Sequence, residues 1–191
     1  MRISILATAA FALSSGVFAA EQPQQEAFTA LFATTCMQHF YAPEELRANM
    51  ASQSARVLHG EQSGFFLGGS SGTAWSVRLS DGMYVVSWRD DGVCSVFAQR
   101  AAGAEIQSNF AALVASAPDP LIASPREAEG PNTDAHRTAS YAWHRPEDET
   151  ELLFTLTTSS EASATVQAMA SMAAANKPDS SFKVGPLRGS P

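Results

Sequence analysis

Beyond its first nineteen residues the chain has no apolar run approaching the roughly 20 residues that a membrane helix needs. It has no surplus of basic residues either. Twelve Lys and Arg stand against 19 Asp and Glu, a net charge of −7, which argues against an electrostatic grip on nucleic acid or on an anionic membrane surface. That balance suits solubility, or a basic partner protein. Cysteine is scarce, with Cys36 and Cys94 the only two. They lack the Cys-x-x-Cys spacing of a redox-active dithiol, and no cysteine follows the first segment to carry a lipid anchor. The glycine-rich stretch Gly64–Gly72 lacks the Gly-Lys-Ser/Thr ending of a phosphate loop. It reads as a plain flexible loop.

The chain opens on Arg2, the apolar run ILATAAFAL and small residues up to Val17-Phe18-Ala19. This is the pattern of a secretory signal peptide over residues 1–19. The expectation is a single periplasmic or secreted domain over residues 20–178, followed by a polar, disordered tail over 179–191. Arg2 is the only charge in the leader, so its removal takes the net charge from −7 to −8.

Thr73 to Arg100 organises the rest. It reads TAWSVRLSDGMYVVSWRDDGVCSVFAQR, three alternating runs split by two Asp-Gly pairs. That predicts a three-stranded antiparallel meander. With Asp81-Gly82 as a two-residue loop, Val77 faces Val86 and Trp75 faces Trp88. The large apolar residues then share one side, and Ser76, Arg78, Ser87 and Arg89 take the other. A two-residue second loop would set Trp88 opposite Ser95. A three-residue loop over Asp90–Gly92, with Gly92 left-handed, sets Trp88 against Cys94 and Val86 against Val96. The second option is preferred because it buries Cys94. Trp75 and Trp88 read as core packing.

From Glu26 to Phe40 the apolar residues Phe28, Leu31, Phe32, Cys36 and Phe40 recur at three and four, which predicts a helix with Cys36 on its apolar stripe. Helical period and strand register both aim the cysteines at the core. In an oxidising compartment a Cys36–Cys94 disulfide is expected. Closing a loop of about 60 residues, it would contribute roughly 4 kcal/mol.

Pro43 to about Ser54 predicts a second helix. Gly103–Ala117, with Ile106, Phe110, Leu113 and Val114, predicts a third that Pro118 stops. Ser116–Thr133 reads as an exposed loop. Thr138–His144 and Glu151–Thr158 alternate as a hairpin across a charged turn. Ala162–Ala175, with Val166, Met169, Ala170 and Met172 inward, predicts a last helix. The order α-α-β-β-β-α-β-β-α implies an α+β two-layer sandwich. Its sheet would be mainly antiparallel, of about five strands, with helices on one face.

Cys36 in the first helix, DGVCSVFAQRA after the second turn and the later YAW strand carry a resemblance. In these marks the chain resembles a family of short secreted or periplasmic proteobacterial proteins of uncharacterised activity. The shared marks are structural, so the resemblance carries over no catalytic residue.

Chemistry-bearing residues are few. Gly68-Gly69-Ser70-Ser71-Gly72 matches the letters of a nucleophile elbow at Ser70, but a strand rather than a helix follows it. A serine hydrolase would need His59, His136 or His144 as its base. Cys36 and His39 could share a helix face, yet zinc would want two more ligands, and neither metal nor cofactor is expected. Glu147, Asp148 and Glu149 crowd one turn and could contact a basic protein. The leading expectation is a soluble binding module of inhibitor or immunity type, acting by protein contact. A Ser70 hydrolase and a non-catalytic envelope structural protein are the alternatives.

Overall fold

A computed structural model describes residues 24–101 and 103–177; the expected leader (1–19) and tail (179–191) lie outside the described residues. Eight strands form one sheet: β1 (Arg56–Val57), β2 (Gly72–Leu79), β3 (Gly82–Arg89), β4 (Cys94–Ala98), β5 (Ile122–Arg126), β6 (His136–His144), β7 (Thr150–Ser159) and β8 (Ala168–Asn176). Their spatial order is β1-β2-β3-β4-β8-β7-β6-β5, and every pairing is antiparallel. The helices are α1 (Gln24–Phe32), which runs into a π-helical turn (Ala33–Met37), α2 (Pro43–Ser52), α3 (Gly60–Leu67) and α4 (Gly103–Val114). The chain is therefore α+β with an antiparallel sheet, but of eight strands rather than about five.

The three added strands are β1, β5 and β8. β8 replaces the expected last helix. Its alanines favour a helix on propensity, but β4 and β7 would each be left with an unpaired edge, and tertiary pairing overrides so weak a preference. Ala168, Ala170 and Met172 alternate inward and are buried. β5 lies inside the expected loop; it is an edge strand, the place where Pro125 needs no ladder donor. β1 is two residues of edge laid on β2, with Arg56 opposite Ser76.

The meander forms, with one register as expected and one shifted. Arg89 N–H donates to the Val93 carbonyl at 2.8 Å, Gly92 is left-handed at φ 87°, and Trp88 faces Cys94. At the first turn Trp75 pairs with Val86 and Val77 with Tyr84, a slip of two residues that puts Ser80-Asp81 at the turn. Gly82 does not take a positive φ, and the Tyr84 hydroxyl donates to Asp81 Oδ2 at 2.6 Å. Because the slip is even, no side chain changes face.

Phe28, Phe32, Ile106, Phe110 and Val114 from α1 and α4 pack with Trp75, Val86, Trp88, Val96, Phe154, Leu156 and Ala170 in the main core. Trp143 is fixed there by its indole N–H, which donates to the Val114 carbonyl at 2.7 Å. Cys36 and Cys94 are disulfide-bonded with Cα atoms 5.4 Å apart. A stripe at Phe28, Phe32, Cys36 and Phe40 drifts by about 40° per step on a regular α-helix. The wider π turn offsets part of that drift, and all four side chains are buried.

α3 corrects two expectations. The glycine-rich stretch is not a plain loop. Gly68, left-handed at φ 59°, donates its N–H to Phe65, and Gly69 donates to Gly64 at 3.0 Å, so the glycines close a helix C-terminus. Nor do all helices share one face. Leu67 and Phe66 pack with Leu58, Ala74 and Val85 in a second, separate core. Ala74 and Val85 alternate with Trp75 and Val86, so this core lies on the other face of the sheet. Gly72 seats the return into β2, since a Cβ there would lie 2.2 Å from the Trp88 carbonyl.

Candidate functional site

The outer face of the sheet, opposite α1 and α4, is assembled from rows of side chains set by strand register. One row runs Arg56, Ser76, Val85, Phe97 and Met169 across β1, β2, β3, β4 and β8. α3 stands over part of it. Phe66 meets Phe97 edge-on with centroids 5.1 Å apart, and Phe65 meets Phe66 at 5.0 Å. Between helix and sheet lies an open hollow of about 500 Å³. Its apolar lining comes from Leu58, Phe65, Phe66, Met83, Val85, Phe97 and Val166. Phe65 and Met83 remain 59% and 37% exposed. Arg56, Glu61, Gln62, Ser76, Gln99 and Thr165 supply the polar groups.

The sequence reading missed this site by counting only polar residues on the outer side of the meander. Met83, Val85 and Phe97 also point that way, and large apolar side chains on a supposed solvent face signal a second covering element.

The residues singled out from sequence lie elsewhere. Ser70 follows α3 and precedes β2, the reverse of the strand-then-helix setting a nucleophile elbow requires. His59 precedes the opposite end of α3, about 12 Å of helix away, and makes no side-chain capping bond there. His136 and His144 end β6, five strand spacings or about 24 Å from β2. The structure does not bring Ser70 together with any of these bases. Cys36 is bonded to Cys94. His39 is buried with Nδ1 3.6 Å from Glu45, and no cluster of three or more metal-ligating side chains occurs among the described residues.

Glu147, Asp148 and Glu149 sit exposed on the β6–β7 turn. Their backbone is tied down by Lys177, which donates its N–H to the Glu149 carbonyl at 2.9 Å and Nζ to the carbonyls of Arg145 and Pro146. No residue of this turn lines the hollow.

A second hollow of about 580 Å³ on the β5–β8 side includes Arg126, Glu127, Glu129 and Glu151. Glu151 is buried and takes Arg126 Nε on both oxygens at 3.0 and 3.2 Å. The hydrogen bond with Glu151 holds the Arg126 guanidinium above its ordinary pKa, against the lowering effect of burial. This pair is internally neutral and structural.

No protein family, curated protein or solved structure matches the chain.

Proposed function

We propose that this protein is a binding module without catalysis that works in an oxidising compartment outside the cytoplasm and takes a small molecule with an apolar body into the hollow beneath α3. One observation carries the reading: a concave site of about 500 Å³ lined by three phenylalanines, with a few polar groups among them. Small-molecule sites have this character and typically fall between about 300 and 1,000 Å³. The leader-like first segment and the Cys36–Cys94 disulfide support export. No helix among the described residues is long and apolar enough to cross a membrane.

The inhibitor or immunity-type contact expected from sequence differs in its occupant: a partner's side chain would fill the hollow, and a free small molecule would not be retained. Titration with the neutral fluorescent probe N-phenyl-1-naphthylamine separates the two. Saturable one-to-one binding, weakened at least tenfold by Met83→Arg, is expected. Absence of saturable binding, or binding that Met83→Arg leaves untouched, would overturn the reading.

A further inference from the structure

We infer that the hollow is built for an anionic amphiphile, its head on Arg56 and its apolar body running toward Phe97. The inference rests on the binding reading above and names the chemistry of the ligand. Arg56, Ser76, Val85 and Phe97 follow one another across four strands, and all four line the hollow. At the usual strand spacing the row spans about 14 Å. A guanidinium stands at one end and a phenyl ring at the other, with Phe66 over that ring. The row carries a guanidinium at one end and an apolar stretch from Val85 to Phe97 beyond it, with Gln99 and Thr165 as further polar lining, which matches a molecule with a charged head and an extended or fused-ring body.

The charge of the head follows from Arg56. Arg47, Arg89 and Arg126 are each held by a carboxylate, whereas Arg56, Arg78, Arg100, Arg137 and Arg145 are in no ion pair among the described residues, and of these only Arg56 lines the hollow. Arg56 makes no such pair although Glu61 lines the same hollow. Glu61 belongs to the first turn of α3, where the helix dipole favours a carboxylate. Arg56 is left to a ligand, and the facing Ser76 hydroxyl adds a donor beside it. A carboxylate or sulfonate satisfies that set, because a guanidinium pairs most strongly with a planar anion. A cationic head would meet Arg56 directly.

Displacement of bound N-phenyl-1-naphthylamine by decanoate, decan-1-ol and decylamine tests this, since the three share a chain and differ in head. Decanoate should displace the probe at about tenfold lower concentration than decan-1-ol, with decylamine weakest; tenfold corresponds to about 1.4 kcal/mol. Arg56→Gln should remove the advantage of decanoate over decan-1-ol. Arg56 is exposed, so this variant is expected to fold, and an unchanged thermal unfolding midpoint would verify that. Equal potency of decanoate and decan-1-ol in the native protein, or an advantage that survives Arg56→Gln, overturns the anionic head while leaving the binding reading intact. Failure of the neutral probe to bind overturns both.

Discussion

Phe66 on α3 touches Phe97 on β4 edge to face, 5.1 Å between centroids, and this contact fastens α3 to the sheet. Around it the second core is small: Leu58, Leu67 and Ala74 are buried, with Phe66 and Val85 packed against them. The roof of the hollow is therefore held independently of the main core.

Phe66→Ala should unseat α3 alone. The expected cost is about 1–2 kcal/mol, below the range for a fully buried phenylalanine because the ring is only partly covered. Hydrogen exchange should quicken roughly five- to thirtyfold across the amides of α3 and stay unchanged in α1 and α4. A uniform change across all helices would show that the two cores are one.

Replacing both cysteines by alanine should lower the unfolding free energy by about 4 kcal/mol, the loss expected for a link across 58 residues of sequence separation. Urea denaturation measures it directly. A loss under about 1 kcal/mol would mean that helix–sheet packing, rather than the cross-link, holds Cys36 against Cys94.

Arg126→Met should destabilise by about 3 kcal/mol, because it strands the buried carboxylate of Glu151. Adding Glu151→Leu should recover most of the loss. The guanidinium is held above its ordinary value in the fold, chiefly by its hydrogen bond with Glu151. A raised pKa gives stability that is complete below the unfolded value and lost only as pH climbs past it. The penalty of Arg126→Met should therefore be the same at pH 7 and pH 10 in urea melts. A penalty that shrinks over that interval would contradict the assignment.

How far the sequence could be read depended on whether a signal was local. The stripe Phe28, Phe32, Cys36 and Phe40 repeats every four residues, and the three-residue turn before Cys94 is fixed by Gly92. Each is decided within a dozen residues, and together they specify the disulfide. Ala162–Ala175 reads as helix because Val166, Met169, Ala170 and Met172 recur at helical spacing, but Ala168–Asn176 is a strand. Nothing within that segment announces the open edges of β4 and β7.

The sequence by itself determined which side chains of the meander face inward and that Cys36 and Cys94 meet. Strand alternation and helical period are properties of the backbone, indifferent to what lies around them. Only the tertiary structure decided that α3 covers the opposite face, that β8 joins the two halves of the sheet, and that Arg56 and Phe97 stand at two ends of one hollow. These depend on strand order, and strand order is set by which edges and apolar faces remain to be covered once the chain has collapsed.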